Sequence, residues 1–332
     1  MSKTILVTGG AGYVGSHACK ALVAAGYTPV SFDNLSNGHE WAVKWGPLVV
    51  GDVLNPVDLD RAFEAHKPAA VMHFAALIEV GESVKHPGDF YRTNVTGSLN
   101  VLEAMGRAGV REMVFSSTCA VHGDVGDALI TETSPIAPIS PYAKTKAVVE
   151  GMLADFSVAH GLNAAALRYF NASGADPDGE LGEAHDPESH LIPIACHAAL
   201  GQRAGMSIYG DDYATPDGTC VRDYIHVSDL ANAHVKALDR LLAGQAEGQS
   251  GVEAFCLGGG VGSSVRQVLD TVKRVSGVDF AVQMQARRPG DAPMLVADVS
   301  KAGTVLDWSL NHSDLDTIVA TAWNWHKSQA ER

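Results

Sequence analysis

Two side chains in the stretch Ser140-Pro141-Tyr142-Ala143-Lys144-Thr145-Lys146 have the types and spacing of an acid–base pair. Pro141 suits the first turn of a helix, and Ser140 stands where an N-cap belongs. On a helix that starts there, Tyr142 and Lys146 are i and i+4 and share a face. A phenol, with an ordinary pKa of about 10, is a poor base at neutral pH. A nearby ammonium favours the phenolate, so the pair is expected to take a proton from an alcohol near pH 7. The pattern by itself is common. Its weight comes from a glycine-rich turn near the N-terminus and from Ser116-Ser117-Thr118, about two dozen residues before the Tyr helix. Thr118 could donate to a substrate oxygen and pass a proton towards Tyr142. Ser116 and Ser117 compete for that role, and any of the three could simply cap a strand.

The glycine-rich turn is Gly9-Gly10-Ala11-Gly12-Tyr13-Val14-Gly15. It follows an apolar strand, Thr4–Thr8, and opens an Ala-rich helix ending near Gly26. Glycines at this spacing let backbone approach a pyrophosphate at a helix N-terminus. A second strand, Pro29–Phe32, ends at Asp33, 24 residues past Gly9. An acid roughly 20 residues on is expected to bind ribose hydroxyls. With no adjacent Arg, it points to NAD rather than NADP.

These residues need a frame, and the alternation of elements supplies one. Strands at 48–50, 69–74, 112–117 and 163–170 alternate with helices at 57–66, 88–108 and 141–159. That order predicts a parallel, doubly wound α/β sheet, with ligands bound beyond the carboxyl ends of its strands. Gly9, Asp33, Asp52, Phe74-Ala75-Ala76 and Ser116–Thr118 all fall at such ends. Asp52 reads equally as a turn residue or as an acceptor near an adenine. Beyond 171 the pattern changes. Residues 172–187 are rich in Gly, Asp, Pro and Glu and read as a long loop. Small strands are expected at 206–209, 253–257 and 280–283, and helices at 191–200, 228–242, 264–276 and 314–326. The expected organisation is a cofactor domain over 1–171, rejoined by about 222–240, and a smaller mixed α/β substrate lobe over 172–332, interleaved with it.

The 332 residues carry a net charge of −14 with no Lys/Arg cluster, which argues against nucleic acid and anionic membranes. No apolar run approaches the roughly 18 residues a membrane span needs, and no charged-then-apolar leader opens the chain. Five scattered cysteines with no C-x-x-C pair read as reduced thiols, so a cytoplasmic location is expected.

Several segments in order carry a family resemblance: Thr8–His17, Asp33-Asn34-Leu35, Val80–Ser83, Ser116–Thr118, Ser140–Lys146, Arg168–Asn171, Asp217–Val227 and Arg287–Asp291. Over about residues 3 to 327 the chain resembles the extended short-chain dehydrogenases/reductases. Within them it resembles the isomerases of galactose metabolism that interconvert UDP-galactose and UDP-glucose at C4. The resemblance implies a Rossmann-type fold, NAD as cofactor, a UDP-sugar substrate and a homodimer formed through the helices near 88–108 and 141–159. It makes Thr118, Tyr142 and Lys146 catalytic. Beside Gly9, Gly12 and Gly15, it implies NAD contacts from Tyr13, Val14 and the run Asp33, Asn34, Leu35, Ser36, Asn37 and Gly38. Asp52, Val53, Phe74, Ala75, Ala76, Leu77, Ile78, Asn94 and Phe170 are the remaining NAD contacts it implies. UDP-sugar contacts would come from Asn171, His190, Leu191, Ser207, Ile208, Tyr209, Arg222, Arg288 and Asp291, with Arg222 and Arg288 anchoring the diphosphate. Guanidinium groups suit that task because they pair with phosphate bidentately.

The sequence departs from the family at His122, where Tyr is usual, and at His190, where many relatives have Asn. Leu295 stands where some relatives carry a bulky Tyr that limits N-acetyl sugars. Epimerases for UDP-xylose/UDP-arabinose or UDP-N-acetylhexosamines are therefore alternatives. A nucleotide-sugar 4,6-dehydratase is a more distant one, because Cys119-Ala120 replace the Asp-Glu that such enzymes carry after the Thr. A metal is not expected: Asp186 and Glu188 adjoin His185 and His190, but no H-E-x-x-H pattern occurs. Trp323-Asn324-Trp325 reads as core packing.

Overall fold

A computed structural model describes residues 2–126, 128–244, 251–288 and 292–331. Its strands, in chain order, are β1 (Thr4–Thr8), β2 (Thr28–Asp33), β3 (Leu48–Val50), β4 (Ala70–His73), β5 (Glu112–Thr118), β6 (Asn163–Tyr169) and β7 (Asn171–Ser173). They continue with β8 (Met206–Tyr209), β9 (Val221–His226), β10 (Val252–Leu257), β11 (Gly262–Ser264), β12 (Val282–Gln285) and β13 (Met294–Leu295).

Seven of these form one parallel sheet in the order β10-β6-β5-β4-β1-β2-β3. The apolar runs of its strands follow from burial on both faces. Along β1, Ile5 and Val7 face one core with Leu22, Met72 and Leu238, while Leu6 faces the other with Phe32, Leu59 and Phe115. All of these are essentially inaccessible to solvent, and each contributes about 1.5–3 kcal/mol by the usual area bookkeeping. The strand order reverses between β1 and β4, and that switch point is where open α/β sheets bind ligands.

The second half of the chain crosses between lobes more often than expected. Helix Val227–Leu242 packs on helix Tyr13–Ala24 of the main layer, and β10 supplies the seventh strand, beyond the segment 222–240. The smaller lobe has its own core, including Ile192, Ile208, Leu269, Phe280 and Ile318. It joins β8 to β12 and pairs β9 with β7, β11 and β13. The loop expected from 172 thus begins inside a strand. Trp325 is buried and donates its indole N–H to the Glu183 carbonyl at 3.0 Å, so it is a packing residue.

The helix expected at 88–108 is interrupted. Pro87–Phe90 leads into a π-helical turn, Tyr91–Thr96, before the α-helix Gly97–Ala108. Hydrophobic periodicity cannot report a one-residue change of pitch, although such turns often serve to aim a side chain.

Candidate active site

Helix Pro141–His160 starts as its sequence requires. The Ser140 hydroxyl accepts from the Ala143 N–H at 3.2 Å, and Pro141 occupies the first turn. This fixes Tyr142 and Lys146 on the face that covers the end of β5. Both line a cavity of about 650 Å³ at the carboxyl ends of the central strands. Thr118, the last residue of β5, lines it too, and its hydroxyl accepts from the Ala120 N–H at 3.2 Å. The competing hydroxyls are engaged elsewhere. Ser116 pairs with the Tyr169 hydroxyl at 2.6 Å, and Ser117 donates to Glu150 at 2.5 Å. Glu150 also forms a buried ion pair with Arg168 at 2.6 Å, which clamps the helix to β6.

The electrostatics correct one expectation. Burial raises the Tyr142 phenol well above its ordinary value, and the Thr118 hydroxyl offsets only part of that. Burial also lowers Lys146 to about 7. Its ammonium donates to the Ser116 carbonyl at 2.8 Å and lies 5.0 Å above the Phe115 ring. Desolvation of both groups therefore outweighs the attraction that was expected to lower the phenol.

The cavity floor is the glycine-rich turn. Gly9 has φ +74°, and a Cβ there would lie 2.7 Å from the Ala75 nitrogen. A Cβ on Gly15 would lie 2.1 Å from the Gly9 carbonyl oxygen. Only glycine permits these approaches. Gly12 begins helix Tyr13–Ala24 with no side-chain cap, which leaves the first N–H groups facing the cavity for an anion. Asp33 accepts from the N–H groups of Ala11 at 3.0 Å and Leu35 at 2.9 Å, so it locks the floor as well as facing the cavity. Asp52 is bonded as a turn residue and also lies on the cavity wall. One oxygen takes the Leu54 N–H at 2.8 Å, and the other takes the Asn34 amide at 3.1 Å beside the cavity. Gly9, Gly12, Tyr13, Val14, Gly15, Asn34, Ser36, Asn37, Gly38, Val53, Phe74 to Ile78 and Phe170 also lie on the wall, as do Asn171, His190 and Arg222. This set can hold a dinucleotide along the floor and a second ligand under the smaller lobe.

Other expected contacts lie elsewhere. Asn94 is buried in the π turn, where it exchanges bonds of 2.8 and 3.0 Å with the Leu77 backbone and donates to Thr145 at 3.0 Å. It holds the wall from behind. Leu35 is off the wall, its backbone turned to φ 59° by the bond to Asp33. Along β8, Met206 and Ile208 point into the small core, so Ile208 is a packing residue; Ser207 and Tyr209 project the other way. The Arg288 guanidinium stacks on Tyr209 at 3.8 Å, outside the described wall, and Leu191 packs against the small core. Asp291 lies outside the described residues. The sequence reading missed Glu79, Tyr169, Glu183 and His185, all on the wall. Their one signal was Glu183 and His185 preceding Glu188 and His190 in a charged loop.

Residues 5–250 match the model of the NAD dependent epimerase/dehydratase family. This chain belongs to that family. The family member UDP-glucose 4-epimerase of Rhizobium meliloti (strain 1021) is 51% identical over 98% of this chain and 97% of its own length. The crystal structure of UDP-glucose 4-epimerase from Brucella ovis in complex with NAD superposes with a TM-score of 0.94, at 49% identity over 97% of this chain and 98% of that one. The enzyme from Bifidobacterium longum in complex with NAD+ and UDP gives 0.92 at 36% identity, over 99% of both chains.

Proposed function

We propose that this member of the epimerase family interconverts UDP-galactose and UDP-glucose, with NAD held on the glycine-rich floor. The observation that carries the reading is the gathering of Thr118, Tyr142 and Lys146 on the wall of the cavity whose floor is Gly9–Gly15 and whose far side holds Arg222. The uncapped N–H groups at Gly12 and the Cβ-free approaches at Gly9 and Gly15 fit a pyrophosphate. The Gly9–Gly15 turn and Asp33 would hold NAD, which would supply a reversible hydride acceptor for C4 and, when oxidised, a positive charge that favours the Tyr142 phenolate.

Tyr142, reacting as the phenolate, accepts the 4′-hydroxyl proton, and Thr118 holds the oxygen it leaves. The 4-keto sugar then turns while Arg222, with Arg288 at the rim, retains the diphosphate. Tyr142 returns its proton after the hydride comes back. Arg222 is positioned for this by bonds from its Nη1 to the carbonyls of Val221 (2.9 Å) and Ala292 (2.8 Å). Cys119 and Ala120 line the cavity next to Thr118, so the side chains that would expel water in a dehydratase are absent there.

Leu295 also lines the cavity, and its modest size favours acceptance of UDP-N-acetylhexosamines as a second substrate class. The lobes divide the work: residues 1–171, with the returning helix 227–242 and strand β10, hold the cofactor, and the rest of 172–332 closes over the sugar. The protein acts as a homodimer through the helices around 88–108 and 141–160, which expose Tyr91, Val148 and Val158. It acts in the cytoplasm, where its five free cysteines stay reduced. No described helix is long and apolar enough to cross a membrane.

Incubating purified protein with UDP-galactose, without added cofactor, is expected to give UDP-glucose, resolved by chromatography. No change of C4 configuration, even after NAD is supplied, would defeat the proposal. Parallel runs with UDP-N-acetylgalactosamine test the second class. Light scattering tests the dimer.

A further inference from the structure

Two clusters of acidic and imidazole groups flank the loop between β7 and β8. In the first, the Lys20 ammonium lies 2.8 Å from each of Asp176, Asp178 and Glu180, so the carboxylates already hold their cation. The second, Glu183, His185, Glu188 and His190, is different. One donor atom from each residue lies within 4.8 Å of all the others. Carboxylates and imidazoles alternate at spacing Glu-x-His-x-x-Glu-x-His.

Several details show that hydrogen bonds alone do not account for the arrangement. The Glu188 side chain is only 5% exposed, and its Oε2 makes no hydrogen bond. That oxygen lies 3.9 Å from His185 Nδ1. His185 Nδ1 is 3.1 Å from Glu183 Oε1, yet it too is buried and not aligned to bond. His190 Nδ1 lies 2.5 Å from the same Glu183 oxygen and 3.6 Å from Glu188 Oε1. Ligand atoms around a tetrahedral zinc, with bonds of about 2.0–2.1 Å, are roughly 3.3 Å apart. Two of the four separations, 3.1 and 3.6 Å, are near that value, and the other two, 2.5 and 3.9 Å, fall on either side of it.

We propose that Glu183, His185, Glu188 and His190 form a binding site for a divalent transition-metal ion, zinc being the best match. Two imidazole nitrogens beside two carboxylate oxygens suit zinc and are poor ligands for calcium or magnesium, which prefer all-oxygen shells. The ion is structural in this role. It ties the 174–190 loop to helix Leu191–Ala199, where His190 is the N-cap residue, and so fixes the part of the cavity wall formed by Glu183, His185 and His190. Trp325 braces the same loop from the core side through the Glu183 carbonyl.

The site is independent of the proposed reaction, because metal content is read without substrate. Tag-free full-length protein is loaded with zinc chloride, dialysed and analysed by elemental mass spectrometry. The expected result is about one zinc per chain, as for a closed four-ligand site. The His185→Ala/His190→Ala double variant should lose it, and Glu188→Gln should hold zinc at least about tenfold more weakly. Asp178→Asn, in the lysine-filled cluster, should retain the full amount. Wild-type protein free of zinc after dialysis overturns the proposal. So does a double variant that keeps its zinc, or loss on Asp178→Asn. If the double variant does not fold, cobalt loading of the wild type decides: visible bands of a four-coordinate site support the proposal, and their absence defeats it.

Discussion

The floor and the roof of the cavity are built by different means. The floor is backbone. Gly9 and Gly15 leave gaps that a single carbon would fill, and Asp33 is held by two N–H groups of the chain it organises. The roof is side chain. Arg222 reaches in from β9 and Arg288 lies on the face of Tyr209, while the His190 side chain remains 45% exposed. A backbone floor fails when one atom is added. A side-chain roof loses affinity in steps as its members are removed. The catalytic pair stands between the two, fixed by a helix start and a strand end.

The largest expected effect is at that junction. Tyr142→Phe should cut turnover by about 10²–10⁴-fold, the usual contribution of a positioned acid–base group. Bound NAD, released by acid and measured by absorbance, should be unchanged. Near-normal turnover would refute the assignment of the base. Next comes the floor. Gly15→Ala puts a methyl into the Gly9 carbonyl and should cost about 3 kcal/mol, the upper end for overpacking, with loss of retained cofactor. Gly303→Ala is the control, since a Cβ there would make only an ordinary contact of 3.7 Å with the Trp308 carbonyl, and should change stability by no more than about 1 kcal/mol, in the favourable direction. Urea titration of both variants checks the contrast, and similar costs would erase the distinction between floor and surface.

The roof should respond more mildly. Arg222→Ala is expected to weaken inhibition by UDP about tenfold, as one charge-assisted contact is lost. Arg288→Ala, whose guanidinium already stacks on Tyr209 off the described wall, should weaken it less. An unchanged inhibition constant for either variant removes that arginine from the anchor.

The same difference explains what could be read before the structure was known. The floor is legible because its demands exclude other residues: at Gly9 and Gly15 no side chain fits, and Ser140-Pro141 suits the first turn of a helix. The Thr118 choice needed the structure, since three adjacent hydroxyls look alike until Tyr169 and Glu150 engage two of them. The roof was visible only through family likeness, because Ser207, Ile208 and Tyr209 alternate faces and only geometry shows that Ile208 turns into the core. Asn94 sits behind the wall, aimed by a π turn that leaves no trace in the hydrophobic pattern. The seventh strand of the sheet was assigned to the other lobe, since pairing of β10 with β6 joins segments some 90 residues apart in sequence, where local signals are silent.

The smallest effect lies where floor, roof and catalytic pair meet. Lys146 is 3% exposed, and burial lowers it from 10.5 to about 7. Between those values the unfolded chain binds a proton that the folded protein does not. Stability from this group therefore rises with pH across the window, and its cost is fully present below about 7. Lys146→Met removes the buried charge but also leaves the Ser116 carbonyl without its donor, a loss of about 1 kcal/mol that does not depend on pH. Relative to wild type, with both proteins in the same cofactor state, the variant should thus do best at pH 6 and lose ground steadily towards pH 10. Denaturant titrations at pH 6, 8 and 10 measure the slope. A difference that stays constant across that range would mean that Lys146 keeps its proton in the folded protein. Desolvation would then be weaker at this seam than the geometry implies, and the ammonium would be free to act on Tyr142 as the sequence suggested.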